Sequence, residues 1–248
     1  MATTSARPKV RGERRSRRTT PHARSAAPGP LTSASIGRAL SILRRAAREW
    51  DAPVLTLLAA EKHDPFLTLI GCILSLRTND KTTAIAAPRL FARARTPAAM
   101  LALDPREVET LIYPVGFYRN KARGIQEICR DLINRFDGRV PDDIEQLMTL
   151  KGVGRKTANL VVTESFRKPG ICVDTHVHRI SNRWGLVATK TPERTETALR
   201  EVLPRRYWIE YNSLLVAFGQ TLCHPTSPWC SRCPLAAICV RVGVTRSR

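Results

Sequence analysis

Helix-start signals recur along this chain from Ser35 onward, and they constrain its fold more than any other feature. "TPAAMLALD", "DPREVETLIYPV", "PDDIEQLMTL" and "TPERTETALREVL" each open with Thr, Asp or Pro. Such residues cap the free amides of a first turn, or bring a proline φ already suited to it. Apolar residues recur at spacings of three and four: Ile36, Leu40, Leu43 and Ala47 share one face of "SASIGRALSILRRAAREW". "DPFLTLIGCILSLRTND" is apolar all round, which suits a helix buried in a bundle. "GICVD" is the only short strand candidate. The reading is an all-α protein with short connections, and 248 residues allow one large or two small cores.

Charge narrows the partner. There are 41 Lys+Arg against 21 Asp+Glu, a net +20, which calls for a polyanion: nucleic acid or an acidic membrane surface. No run of about 18 uncharged apolar residues exists, so nothing in the sequence spans a bilayer. Residues 1–34 read as a disordered basic arm, whose first 30 hold eight Lys/Arg and one acid without apolar periodicity. This arm is expected to add salt-dependent affinity for nucleic acid. Its composition also suits an organelle transit peptide or a nuclear signal; without one, a bacterial chain of this kind would stay in the cytoplasm with the nucleoid.

Seven cysteines divide sharply. Cys72, Cys129 and Cys172 lie in apolar surroundings and read as buried free thiols. Cys223, Cys230, Cys233 and Cys239 form a C-x6-C-x2-C-x5-C run, and four thiolates so close converge on something small. A basic helical chain without a secretion signal disfavours disulfides. Structural zinc and a [4Fe–4S] cubane both take four thiolates, and spacing alone leaves both open.

"LKGVGRKTANLVV" (residues 150–162) places Gly152 and Gly154 between two helical stretches. Either they make an ordinary tight turn, or the amides of Gly152, Val153 and Gly154 grip a phosphate at the start of the second helix, with Arg155 beside it. Lys156 falls in that helix's first turn, where the dipole and Arg155 both favour a neutral amine. At the ordinary lysine pKa only about one amine in 2,500 is neutral at pH 7, so such a bias would make it a better nucleophile. Asp174, just before "THVHRI", reads as an N-cap whose carboxylate the helix dipole keeps ionised. It is either a cap only or a cap with a chemical role. His176 and His178 read as packing or surface residues.

Taken together, these residues resemble the endonuclease III family. The matching segments are "LKGVGRKTA", "VDTH" 18 residues after the lysine, the four-cysteine run, "ILSLRTND" and "PVGFYRNKARGI". The likeness covers about residues 35–240. It implies two helical domains with a DNA-binding cleft between them. One is a six-helix barrel (58–168) with a helix-hairpin-helix motif; the other (35–57 plus 169–240) holds a [4Fe–4S] cluster on Cys223, Cys230, Cys233 and Cys239, followed by a tail (241–248). It further implies a monomeric base-excision-repair glycosylase and AP lyase acting on duplex DNA with damaged pyrimidines or abasic sites. Lys156 would then be the nucleophile and Asp174 its partner.

Three departures stand out. Lys151 replaces the hairpin proline and brings a cation toward the phosphate. Arg77 stands where many members carry the glutamine that fills the gap left by a flipped base. "HPTSPW", between Cys223 and Cys230, has no Lys or Arg, so Arg232 and Arg241 are the candidates to contact DNA instead. The rivals are an adenine-mismatch or thymine-mismatch glycosylase, both disfavoured by Lys156; a catalytically idle DNA-binding protein, disfavoured by the Lys156–Asp174 pair; and a zinc-stabilised adaptor.

Overall fold

The computed structural model describes residues 28–50 and 63–248; the start of the predicted arm and the predicted domain boundary near residue 58 lie outside them. Among the described residues there are eleven α-helices, two 3-10 turns and no strand. "GICVD" is an extended connector.

The apolar residues gather in two cores. The first is built by α2 (Pro65–Ser75), α3 (Asp80–Arg93), α4 (Pro97–Leu101), α5 (Pro105–Ile112), α6 (Tyr118–Phe136), α7 (Ile144–Met148) and α8 (Arg155–Phe166). Their starts are sharp because side chains cap them: Asp64 Oδ1 accepts from the amides of Phe66 and Leu67 at 2.9 and 3.1 Å, and Asn79, Thr96, Asp104 and Asp143 act likewise. Nine of the eleven residues of α2 are buried, as its all-round apolar character requires. In α8 every residue from Thr157 to Ser165 is buried.

The second core joins α1 (Ile36–Ala46) to α9 (Thr175–Arg183), α10 (Pro192–Val202) and α11 (Trp208–Thr221). Ile36, Leu40 and Leu43 of α1 are fully buried beside Trp184, Tyr211 and Phe218. The Tyr211 hydroxyl finds Ser181 Oγ at 3.0 Å, so its burial leaves no polar atom unpaired.

Two predicted loose ends are in fact docked. The arm does not run to residue 34: Leu31 is 6% exposed in the second core, its N–H donates to Trp184 O at 2.9 Å, and Pro30 lies against Gly185. A single leucine in an apolar niche is enough anchorage, and the polar, proline-rich residues around it hid the signal. Residues 241–248 also fold back, with Val242 N donating to Arg183 O (3.0 Å) and Arg248 N to Pro228 O (2.8 Å).

The bodies are tied by Asn159, fully buried on α8. Its Nδ2 donates to Arg155 O at 3.1 Å, and its Oδ1 accepts from Ile171 N at 3.2 Å on the connector to α9. Gly170 makes this approach possible, because a Cβ there would stand 2.9 Å from Asn159 Oδ1 and 3.1 Å from Thr163 Cγ2. Asn212 Nδ2, on α11, donates to Cys172 O at 3.1 Å from the other side.

Deleting residues 1–27 is expected to leave the melting temperature unchanged while flattening the salt dependence of DNA binding. Deleting 1–34 also removes Leu31 and is expected to lower the melting temperature by about 5 °C, read by thermal denaturation of both truncations. Asn159→Leu leaves the buried Ile171 amide unpaired and is expected to cost about 2–4 kcal/mol in denaturant unfolding.

Candidate nucleic-acid interface and lysine–aspartate site

The hairpin joins α7 to α8. Leu150 and Val153 are buried in the first core and anchor the turn from below. Gly152 has φ +78°, a left-handed conformation that favours glycine, and nothing stands within 4 Å of where its Cβ would be. Gly154 is extended, equally open, and forms the N-cap of α8 without a side chain to cap it. The amides of Gly152, Gly154 and the first turn of α8 therefore face open space without a partner among the described residues. Val153 is a correction: its N–H donates to Leu150 O at 3.1 Å, so its amide closes the turn and is not free for a phosphate.

The hairpin cations also differ from expectation. Lys151 reaches back to Glu127 of α6 at 2.7 Å. Arg155 lies between Glu145 (3.6 Å) and Glu196 (3.9 Å), held by an acidic wall on α7 and α10. Their charge is neutralised locally, and the turn's remaining attraction for an anion comes from its amides and the α8 dipole.

Lys156 is exposed, in the first turn of α8. Its carbonyl lies 3.6 Å from Cys172 Sγ, two residues before Asp174, so the α8 start and the α9 start are neighbours. Asp174 is the N-cap of α9: its Oδ1 accepts from the amides of His176 and Val177, both at 2.9 Å. Its Oδ2 has no hydrogen-bond partner among the described residues. Beneath the pair lie Cys72, Leu160 and Cys172. Burial pushes the Cys72 thiol up to about 12 and raises Cys172 further, so both stay protonated and form an apolar floor. His176 is held below the usual histidine range, first by burial, with Arg179 and Lys156 adding to the lowering and Asp174 opposing it. Arg179 donates to His176 Nδ1 at 3.0 Å, which leaves the ring's proton on Nε2.

Arg77 stands on the exposed turn after α2, in a left-handed conformation (φ +51°). Its guanidinium lies 6.0 Å from the centroid of Phe117, a 61% exposed aromatic that is also left-handed (φ +58°). Three bonds from buried Lys121 hold this turn: its Nζ donates to Leu74 O (2.8 Å), Leu76 O (2.6 Å) and Thr78 Oγ1 (3.0 Å). Burial lowers Lys121 to about 8, so at neutral pH it remains a cation clamped on carbonyls. Gly116 packs on the Arg77 carbonyl, where a Cβ would come within 2.7 Å.

Sequence reasoning missed Phe117, Lys121 and Asn159. Each left a trace: an exposed-type turn carrying an aromatic, a lysine on the core face of α6, and an asparagine within the apolar run of α8.

Cys223, Cys230, Cys233 and Cys239 line one cavity together with Arg183, Arg241 and apolar side chains that include Trp184, Phe218, Leu222 and Trp229. None is in a disulfide. The four thiols surround this hollow. An apolar hollow with four thiols suits a polynuclear cluster. Arg183 of α9 donates to Cys223 Sγ (3.3 Å), His224 O (2.6 Å) and Pro225 O (2.6 Å), fixing the first cysteine's loop. Of the substitute cations, Arg241 turns inward to Ala236 O at 3.3 Å, whereas Arg232 and Arg248 flank the Trp229 ring at 5.4 and 4.1 Å.

Known proteins are similar to this chain in sequence and fold. Residues 70–205 match the HhH-GPD superfamily of base excision DNA repair proteins. Endonuclease III of Thermotoga maritima is 48% identical over 72% of this chain and 84% of its own length. Endonuclease III-like protein 1 of Bos taurus is 44% identical over 76% of this chain and 66% of its own length. Among solved structures, an endonuclease III trapped as a covalent intermediate with DNA superposes with a TM-score of 0.73 at 36% identity, covering 84% of this chain and 96% of that one. A non-covalent endonuclease III–DNA complex gives 0.74 at 37% identity, covering 84% and 95%. The chain belongs to the HhH-GPD base excision DNA repair superfamily and, within it, to the endonuclease III family.

Proposed function

We infer that the protein is a bifunctional DNA glycosylase and AP lyase that removes oxidised pyrimidines from duplex DNA. The observation that carries the residue assignment is the meeting of two helix starts: exposed Lys156 on the uncapped α8 and Asp174 on the capped α9. A backbone phosphate would sit against the open amides of Gly152, Gly154 and the first turn of α8, anchoring the strand beside the lysine.

Chemistry on a base requires its removal from the stack, which costs a few kcal/mol. Arg77 and Phe117, prominent and fixed from behind by Lys121, would fill the gap that remains in the duplex. With the nucleotide turned out, the Lys156 amine attacks C1′. The new N–C1′ bond forms as the glycosidic bond breaks, and its electron pair leaves with the base. Asp174 Oδ2 takes the amine's proton and faces the positive charge growing on the sugar, while Oδ1 stays bound to the cap amides. Opening of the sugar ring gives a Schiff base. Loss of a C2′ proton then expels the 3′ phosphate and cuts the strand by β-elimination.

Cys223, Cys230, Cys233 and Cys239 would hold a [4Fe–4S] cluster. When bound, such a group cross-links four points of an irregular segment that has no helix of its own. The protein is assigned as a monomer acting on damaged DNA.

Borohydride trapping on a duplex with one thymine glycol is expected to give a covalent protein–DNA band, absent in Lys156→Ala. Asp174→Asn keeps the cap acceptor and is expected to slow trapping about a hundredfold with little change in melting temperature. Metal analysis of the purified protein is expected to give about four irons and four sulfides per chain, against about one zinc for the alternative site.

A further inference from the structure

Arg77 and Phe117 stand at the tips of two separate turns, and both hold a left-handed backbone, at φ +51° and +58°. For an arginine and a phenylalanine that conformation is strained, and it persists only where the surroundings enforce it.

What enforces it is a polar network with every valence used. The Lys121 ammonium has three N–H bonds, and Leu74 O, Leu76 O and Thr78 Oγ1 take all of them, at 2.8, 2.6 and 3.0 Å. The Thr78 hydroxyl donates to Leu76 O at 3.3 Å and accepts from Lys121 Nζ and from Gly116 N, the latter at 3.2 Å. Its one proton and two lone pairs are thereby occupied. Gly116 belongs to the Phe117 turn, and the Lys121 backbone N–H donates to Phe117 O at 3.0 Å. One residue thus holds the Arg77 turn with its side chain and the Phe117 turn with its main chain. Between the turns Gly116 leaves no gap, since a Cβ there would lie 2.7 Å from Arg77 O and 3.3 Å from Thr78 Oγ1.

An ordinary helix cap would account for part of this, because cations favour the last carbonyls of a helix and Leu74 lies in the last turn of α2. Two facts exceed it. Lys121 is 9% exposed and has no carboxylate partner among the described residues, so a charge has left water where an exposed cap would do. Thr78 and Gly116 both lie outside the helices, so the network serves the turns.

We propose that Lys121 and Thr78 are positioning residues for base extrusion, fixing the two tips as one preformed wedge that enters the duplex as the nucleotide leaves. A wedge ordered beforehand loses no conformational entropy on insertion. Loosened tips would have to be ordered in the same step that breaks stacking and pairing. That demand falls on removal of a stacked base; an abasic nucleotide has no base to extrude. The proposal rests on the glycosylase reading above.

The test uses the full-length protein under single turnover, on one duplex with a thymine glycol and one with a preformed abasic site. Base excision is read on the first and the rate of borohydride trapping on the second. Lys121→Met keeps the reach of the side chain without its donors. It is expected to slow excision about tenfold or more and trapping by less than about threefold. Thr78→Val removes the shared hydroxyl at nearly constant shape and is expected to lower the excision-to-trapping ratio about fivefold. Thr78→Ser keeps the hydroxyl and is expected to hold that ratio within about twofold of wild type. Should Lys121→Met fail to fold, the two variants of half-buried Thr78 carry the test. A ratio unmoved in Thr78→Val, or excision and trapping falling in proportion in every folded variant, overturns the proposal and leaves Lys121 as a cap of α2. Failure of the wild type to trap on the abasic duplex overturns instead the lyase reading on which the proposal rests.

Discussion

A single buried amide holds the candidate site together. Asn159 bonds backward to its own helix through Arg155 O and across to the connector through Ile171 N, so the end of one body fixes the start of the other. Lys156 lies on one side of that junction and Asp174 on the other. Neither helix start contains the information to place its partner. The geometry of the pair is inherited from an amide with both ends occupied, and from the missing side chain of Gly170 that lets the connector lie flat on α8.

Two helix starts brought together would ordinarily repel, because each presents a positive dipole end. The sequence treats them in opposite ways. Asp174 satisfies its own helix and adds a negative charge, whereas Gly154 leaves α8 bare. The result is a carboxylate at one helix start and a row of unfilled donors at the other. Lys151 and Arg155, which look from the sequence like reinforcements of that positive field, are instead drawn off by Glu127, Glu145 and Glu196. Attraction at the hairpin is thereby local and directional, set by amides with fixed orientations and not by mobile cations.

What the sequence revealed depended on how locally each feature is encoded. Helix type, helix starts and the Asp174 cap are written in neighbouring residues, and they appear where capping chemistry and periodicity put them. The hairpin was legible because glycines in a turn leave a distinctive mark. The fate of the Val153 amide was not, since it depends on one turn hydrogen bond. Leu31 was missed because anchoring by one residue has no period. A hydrogen bond from Gln220 to Asp80 could not be read at all: its members are 140 residues apart, exposed and polar, and only the folded chain makes them neighbours.

The pairing of α1 with α9, α10 and α11 also bears on how the molecule is made. As the chain emerges during synthesis, Ile36, Leu40 and Leu43 have no core to enter until more than a hundred further residues have followed. The body from α2 to α8 buries its own apolar residues and can close first, as consecutive units do. The cysteine cavity and the resting place of α1 both need residues that follow α8. A nascent chain therefore displays Lys156 before it has Asp174 beside it, and the two become a site only when the connector through Ile171 has docked on Asn159.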